Sequence, residues 1–375
     1  MELLSFADCM VRSGAASRGI WTYLQEQPVE LCFIGASVTV QRDGWCSKLL
    51  EYLRAQTGMP HSARLNAMGG VGLLFGVANY SLPSPDVIPG IAFVEFSTGD
   101  LNPGLTPLKE LPGLLRGLLR KTTANYRYTV IVHNWRVDFD ENSAEVRRIY
   151  DAIAAEFGLP VIHNHEMARQ AIEQDPGIQA AWFRDECHTY ATGADAYACH
   201  VSACLRDLDA QPASGHEACR PASGVDEPPI RFADLAGAIV VPGHNSGDFT
   251  HPVTGQRFDT VEIASGIHVR LSCSGRLMGI GFISGPRSGG VQLSVGGKAV
   301  RRFKCFDRHS HYSRYILLPC FMDLGDATTL DLVCMDEPVD RKLPAKEHPD
   351  FDLPRTMTLV HLVGAGLRVD RCSMQ

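Results

Sequence analysis

The stretch that decides the fold is Leu31–Thr39, which reads LCFIGASVT. Its first part, Leu31–Ala36, is an almost continuous apolar run, typical of a strand that is covered on both faces of a sheet. The Gly-Ala-Ser turn after this strand places the hydroxyl of Ser37 where parallel sheets bind their ligands, beyond the carboxyl end of a strand. A helical pattern with apolar residues on one face then follows over Gly44–Thr57.

The same kind of apolar run recurs along the first 165 residues of the chain. A second helical pattern, Asn142–Phe157, lies before the last of these runs. Strands that alternate with helices predict an α/β fold, in which helices cover both faces of a parallel sheet. The predicted strands after the first are Ala63–Ala67, Ile91–Phe96, Thr129–His133 and Pro160–His163.

The composition changes in the second half of the chain. Residues 208–229 are rich in Ala, Pro, Ser and Gly, which predicts a linker. Short alternating apolar runs follow, separated by Gly, Pro and Asp, and they predict an all-β sandwich or jelly roll. We therefore predict a catalytic domain over 1–207 and an accessory β-domain over 230–375. Within the β-domain, the polar and aromatic stretch Cys305–Arg314 fits either sugar binding or ordinary strand-edge ion pairs.

Charge and composition restrict the partners of this protein. The chain has 375 residues and a net charge of −7, so it lacks the basic footprint that nucleic acid or an anionic membrane requires. No apolar stretch approaches the roughly 18 residues of a spanning helix, and no secretory signal is visible. The 12 cysteines are scattered without a C-x-x-C pair, which favours reduced thiols. We expect a cytoplasmic protein with no nucleic-acid or membrane partner, and the oligomeric state is left open.

Ser37 needs a base to become a nucleophile, and the chain offers one in Asp185 and His188. These residues are three apart and precede Gly193, so on a turn both side chains could face one point. Asp185 would orient the imidazole, and His188 would take the serine proton. Serines and Asp-x-x-His pairs also cap helices, which is the alternative interpretation. Cys187 is a less favoured nucleophile because no separate base is evident for it.

Together these motifs resemble the SGNH hydrolases, also described as GDSL-like lipases and acylhydrolases. The turn Gly35–Ser37 is similar to the first block of that family, with Ala36 in place of an aspartate, and Asp185 with His188 is similar to the last block. The resemblance covers roughly residues 30–205. It implies a flavodoxin-like three-layer fold and ester hydrolysis or acyl transfer, without a metal or organic cofactor.

The resemblance also implies an oxyanion hole, a set of donors that stabilises charge on the attacked carbonyl oxygen. In the family these donors are the amide of the serine (Ser37), a glycine amide after the second strand, and an asparagine after the third. Gly70 matches the glycine, with Gly69 as a rival. At the asparagine position the chain has Gly99, and we predict that Asn102 replaces it. Loss of one such donor can cost about 10²–10³ in rate.

Further polar residues follow the predicted strands and are expected to contact the substrate. They are Asp100, His133, Trp135 and His163. His163 and His165 form a His-x-His pair, but no carboxylate cluster at matching spacing accompanies them, so no metal is predicted.

The leading hypothesis is a serine esterase that removes O-acyl groups, with acetyl as the expected group, from a carbohydrate or glycan precursor. An O-acyltransferase would use the same residues, with a sugar hydroxyl in place of water. A third alternative is a non-catalytic glycan-binding or assembly protein that carries a degraded hydrolase domain. The chain itself does not distinguish hydrolase from transferase, because the difference lies in water exclusion and acceptor binding.

Overall fold

The structure is a computed structural model. The residues it describes are 10–11, 19–101, 105–138, 141–210, 230–234, 245–307, 309–326, 328–336, 344 and 346–374. The chain divides into two compact units, Met1–Val225 and Asp226–Gln375. The last helix of the first unit runs to Ala210, and residues 211–229 lie outside the described residues. The predicted linker over 208–229 therefore stays a prediction.

The first unit contains a six-stranded sheet in the order β1-β6-β5-β4-β2-β3. All neighbours are parallel except β1, which pairs antiparallel with β6 at one edge. Numbered among themselves along the chain, the five parallel strands lie in the order 2-1-3-4-5, the flavodoxin-like order. The α/β prediction is thus confirmed. The strands are β1 (Met10–Val11), β2 (Glu30–Gly35), β3 (Ser62–Ala67), β4 (Pro89–Glu95), β5 (Tyr128–His133) and β6 (Val161–His163).

Helices connect these strands. Both helices that the periodicity predicts are present, as α3 and α7. The helices are α1 (Ile20–Glu26), α2 (Ser37–Val40), α3 (Trp45–Thr57), α4 (Leu73–Asn79), α5 (Ser97–Asp100), α6 (Leu111–Asn125), α7 (Glu141–Glu156), α8 (Asn164–Gln174), α9 (Gly177–Trp182) and α10 (Ala191–Ala210).

Aromatic packing fixes α3 on the centre of this sheet. The rings of Phe33 on β2 and Phe93 on β4 stack with their centroids 5.2 Å apart. Trp45, the first residue of α3, meets both rings edge-on at 5.4 and 6.1 Å. All three side chains are fully buried, and burial of an aromatic side chain contributes about 1.5–3 kcal/mol each. The serine turn between β2 and α3 is therefore held from both sides.

The second unit is an antiparallel β-domain, as predicted. Among the residues that the structure describes, its nine strands form one hydrogen-bonded network, in which the long strands β10 and β15 each pair with several partners. Register shifts interrupt the β10–β15 pairing at four points, and the other partner of β10 changes from β14 to β13 between Cys273 and Arg276. The strands are β7 (Ile230–Asp234), β8 (Asn245–Thr250), β9 (Arg257–Ala264), β10 (His268–Ser284), β11 (Gly290–Val295), β12 (Lys298–Lys304), β13 (Arg314–Asp323), β14 (Thr328–Met335) and β15 (Thr356–Met374).

Two general expectations can be compared with the described residues. None of the helices within them is long and apolar enough to cross a membrane. Nine cysteines whose side chains the structure describes are free thiols, eight of them buried and Cys199 half-buried. Burial raises the pKa of Cys32 and of Cys320 to about 12, so these thiols stay protonated at neutral pH.

Candidate active site

The serine turn joins β2 to α2, and Ser37 is the first residue of α2. A side chain at Gly35 would lie 2.2 Å from Thr39 Oγ1 and 2.5 Å from the Glu95 carbonyl oxygen, so only glycine allows this tight turn. The N-cap position belongs to Ala36, which makes no side-chain cap bond. Within the described parts of the chain, the half-buried hydroxyl of Ser37 makes no hydrogen bond. Ser37 is therefore not a helix cap, and its hydroxyl is available for chemistry.

The turn Asp185–Thr189, which we call the histidine turn, lies between α9 and α10. The Nδ1 atom of His188 is 2.9 Å from both carboxylate oxygens of Asp185. The backbone N–H groups of Cys187 and His188 also donate to Oδ1 of this carboxylate, at 3.0 and 2.8 Å. Partial burial would raise the pKa of Asp185, but these backbone hydrogen bonds and the His188 ring lower it overall. An ionised Asp185 thus holds the imidazole by Nδ1 and leaves Nε2 as the nitrogen that could take a serine proton.

The serine turn and the histidine turn are tied together by Gln41, the residue after α2. Its Nε2 donates to the carbonyl of Thr189 at 2.7 Å, and the Thr189 N–H donates to its Oε1 at 3.3 Å. Ser37 and His188 themselves share no hydrogen bond in the described structure, and such catalytic bonds often tighten only when substrate binds. Sequence reasoning missed Gln41 because its partner is 148 residues away.

The loops after β2, β3 and β4 converge at Gly99. A side chain on Gly99 would lie 2.7 Å from the Val71 carbonyl oxygen and 2.9 Å from the Ala36 side chain. The asparagine of the SGNH pattern cannot be accommodated there, so glycine at this position is a packing requirement. Gly70 lies in the loop after β3 in a left-handed conformation, with φ of 70°, and its role as an amide donor stays a prediction. Asn102 lies outside the described residues.

The side chain of Asp100 makes its hydrogen bonds within the protein, and its contact with the substrate stays a prediction. Its side chain is buried, and Oδ1 accepts the Leu73 N–H at 2.9 Å and the Thr106 hydroxyl at 2.6 Å. Oδ2 accepts the hydroxyl of Tyr150 at 2.6 Å. Burial raises the pKa of Asp100 to about 6, although these three donors act against it. Asp100 therefore accepts a backbone N–H at the start of α4 and so fixes the segment after β4 against that helix.

Glu95, the last residue of β4, is a second buried carboxyl group beside the serine turn. The Thr39 hydroxyl donates to its Oε2 at 2.9 Å, and the N–H and hydroxyl of Thr98 donate to Oε1, the former at 3.3 Å. Burial raises the pKa of Glu95 to about 7. Because Thr39 belongs to α2 and Thr98 to α5, Glu95 positions the helix that begins with Ser37. Sequence analysis did not assign it a role.

The side chain of His133 is likewise bonded within the protein, and its contact with the substrate stays a prediction. Its side chain is fully buried, Nδ1 hydrogen-bonds with Ser97 Oγ at 2.8 Å, and Nε2 lies 3.0 Å from Asp151 Oδ1. His163 is buried beside it, with the ring centroids 5.2 Å apart. The carboxylate that the sequence analysis did not find near His163 is Asp151, on α7. We call His133, Asp151 and His163 the histidine cluster; one ligand-type atom from each lies within 4.8 Å of the others.

The loop after β5 connects the histidine turn to the loop after β4. The Val137 N–H donates to the Glu186 carbonyl at 2.9 Å, and Arg136 NH1 donates to the Thr98 carbonyl at 3.2 Å. Trp135 in the same loop is half-buried and packs on the core, so its contact with the substrate stays a prediction.

Cys187 can be compared with Ser37 as a nucleophile. Its Sγ lies 3.7 Å from His188 Nδ1, the nitrogen that is already held by Asp185. Burial raises the pKa of the Cys187 thiol to about 12, so the reactive thiolate is scarce at neutral pH. Both observations favour Ser37 as the nucleophile.

The polar stretch Cys305–Arg314 of the second unit has features of both predicted roles, sugar binding and ordinary strand-edge ion pairs. Arg314 pairs with Asp307, whose carboxylate also accepts the His309 N–H at 2.8 Å. The ring of Tyr312 is 49% exposed and therefore accessible to a sugar. The two interpretations stay open.

Comparison with known proteins identifies the fold. No family model and no curated protein matches the chain. The chain is similar to the crystal structure of a two-domain esterase active on acetylated mannans, with a TM-score of 0.71 and 14% identity over 96% of this chain and 98% of that one. The structure of such an esterase co-crystallised with mannopentaose gives a TM-score of 0.70 and 13% identity over the same shares. At this identity the likeness establishes the two-domain fold.

Proposed function

We propose that this protein is a serine esterase that removes acetyl groups from an acetylated carbohydrate. One observation carries the proposal: Asp185 holds His188 by Nδ1 at 2.9 Å, in a turn that Gln41 fastens to the turn of Ser37. A weakly nucleophilic serine requires such a base, and the base requires an orienting partner.

In the first step, the Ser37 oxygen attacks the acetyl carbonyl carbon while its proton passes to Nε2 of His188. The Asp185 carboxylate stabilises the imidazolium that forms. The backbone amides of Ser37 and Gly70 hold the negative oxygen of the tetrahedral intermediate. The intermediate collapses to an acetyl-serine, and the departing sugar oxygen takes the proton from His188.

In the second step, His188 takes a proton from water, and the resulting hydroxide attacks the acetyl-serine. A second tetrahedral intermediate forms on the same amides and collapses to acetate and free Ser37, whose oxygen recovers the proton from His188. Every proton transfer passes through one imidazole nitrogen, so the rate depends on how well Asp185 fixes that ring.

The carbohydrate part of the proposal rests on the similar two-domain structure, which is described as active on acetylated mannans. That protein shares the arrangement of an α/β unit followed by a β-unit over 96% of this chain. An acetylated polysaccharide is therefore the first substrate class to test.

The experiment measures acetate released from acetylated mannan and from p-nitrophenyl acetate by the wild-type protein and by Ser37→Ala. We expect release from both substrates by the wild type and from neither by Ser37→Ala. Ser47→Ala, which alters a helix serine that bonds to Gly44, is the matched control and should retain activity. Turnover of p-nitrophenyl acetate alone would contradict the carbohydrate assignment, and acetyl transfer to an added sugar would favour the transferase.

A further inference from the structure

We propose that the histidine cluster is a binding site for a divalent transition-metal ion of the Zn²⁺ type, separate from Ser37 and its base. His133 ends β5 and His163 ends β6, and the two residues are direct register partners on these parallel strands. The rings therefore lie on the same face of the sheet, stacked with an interplanar angle of 29°. Asp151 reaches them from α7, the helix that connects the two strands.

The distances within the cluster suit a metal ion. Oδ1 of Asp151 lies 3.0 Å from His133 Nε2 and 3.9 Å from His163 Nε2. Zinc binds imidazole nitrogen and carboxylate oxygen at about 2.0–2.2 Å with tetrahedral angles, which places neighbouring ligand atoms about 3.3–3.5 Å apart. The two observed separations bracket this value, and each differs from it by about half an ångström. Two histidines and one carboxylate are also a recognised three-residue ligand set with one position open.

His163 provides a second and independent observation. Its side chain is nine-tenths buried, yet Nδ1 has no hydrogen-bond partner among the described residues. The other ring nitrogen is 3.9 Å from Asp151, too far for a hydrogen bond. Burying a polar group without a partner costs about 1–3 kcal/mol, so such groups usually have an explanation. In the described structure Nε2 of His163 makes no hydrogen bond either, and a cation between Nε2 and Asp151 would give this nitrogen a partner while Nδ1 keeps the ring proton.

The surroundings support the ligands in different ways. The Ser97 hydroxyl bonds to Nδ1 of His133 at 2.8 Å and so directs Nε2 of that ring toward Asp151, as second partners of metal ligands do. The Asp151 side chain is 30% exposed and offers an access path. Arg147, buried on the same helix, adds a positive charge near the rings, which the carboxylates of Asp151 and Glu166 offset.

The test uses the full-length, tag-free protein after treatment with a chelator. Titration calorimetry with Zn²⁺ should show one ion per chain, and both Asp151→Asn and His163→Ala should abolish this binding. Ser97→Ala should weaken Zn²⁺ affinity by about 10–100-fold, because it removes only the partner of His133. The control is His268→Ala, which alters an exposed histidine of the second unit and should leave binding unchanged.

Two outcomes would overturn the site: no Zn²⁺ binding by the wild type, or binding that persists in both ligand variants. If the variants fail to fold, X-ray absorption of the wild-type zinc complex decides instead. We expect two imidazoles and one oxygen at about 2.0–2.2 Å, and any ligand set without two imidazoles would overturn the proposal. The readout is metal binding, so its failure would leave the esterase proposal intact.

Discussion

The histidine turn and the histidine cluster both pair a histidine with an aspartate near the sheet, but their surroundings differ. In the turn, both side chains retain contact with solvent, and backbone N–H groups keep the pKa of Asp185 low. In the cluster, His133 is fully buried, and burial raises the pKa of Asp151. A proton carrier needs one ring nitrogen that faces the reacting group. Nε2 of His188 is left for this in the turn, whereas both ring nitrogens of His133 in the cluster have partners. We propose that the same pair of residue types serves catalysis in the turn and structural support or ion binding in the cluster.

The largest expected effect tests whether the histidine turn, and not the histidine cluster, supplies the base. His188→Gln should reduce kcat/KM for p-nitrophenyl acetate by at least about 10⁴-fold, because the base of the serine is lost. His163→Gln, which alters the cluster, should cost less than about tenfold. Steady-state kinetics on both purified variants measures the difference. Equal losses would mean that the cluster takes part in the chemistry and that the comparison fails.

The next effect concerns Glu95, a buried carboxyl group whose pKa is raised by burial, as is that of Asp151 in the cluster. Its folded pKa of about 7 exceeds the ordinary value of 4.5, so the folded state holds this proton more tightly than the unfolded state. The stability that protonated Glu95 contributes is fully present below the pKa of the unfolded state. It is lost as the pH rises through the pKa of the folded state. Between pH 4.5 and 7 this loss is on the order of 3 kcal/mol.

Glu95→Gln mimics the protonated carboxyl group. It should therefore remove the part of the pH-dependent loss of stability that comes from ionisation of Glu95. Urea unfolding of the wild type and the variant at several pH values between 5 and 8 measures it. We expect the free energy of unfolding of the variant to fall less steeply with rising pH. Parallel curves for the two proteins would show that Glu95 does not titrate in this range.

A smaller effect is expected at Gly99, where the loops around the serine turn converge. Gly99→Ala should lower the free energy of unfolding by about 1–3 kcal/mol, because the new methyl group overlaps the Val71 carbonyl and Ala36. Gly69→Ala is the matched control, since nothing lies within 4 Å of a side chain there. Comparable stabilities of the two variants in urea would contradict the close packing at Gly99.

The smallest effect is expected at Gln41, which links the two turns without taking part in chemistry. Gln41→Ala should reduce kcat by about tenfold while KM changes little, because small misplacement of a base slows proton transfer. Gln56→Ala removes a comparable amide on α3, which bonds to Ser202, and should keep wild-type kinetics. Unchanged kcat in Gln41→Ala would show that other contacts hold the histidine turn.

The fold, and the contact between Asp185 and His188, could be predicted because their signals are local. A buried strand is a continuous apolar run, and Asp185 with His188 fits within one turn. Gln41 and Asp151 were missed because their partners lie far along the chain, where spacing gives no information. The internal hydrogen bonds of Asp100 and His133 could not be predicted, because a polar residue after a strand can bond to the start of a distant helix or to a buried hydroxyl as well as to a ligand.

The most direct test of the account is the identity of the residue that a fluorophosphonate probe modifies. Trypsin releases Ser37 within Gly19–Arg42, a peptide in which Ser37 is the only serine. We predict one adduct per chain, located on this peptide by mass spectrometry, and no adduct in Ser37→Ala. An adduct on another residue, or esterase activity that persists in Ser37→Ala, would contradict the assignment of Ser37 as the nucleophile.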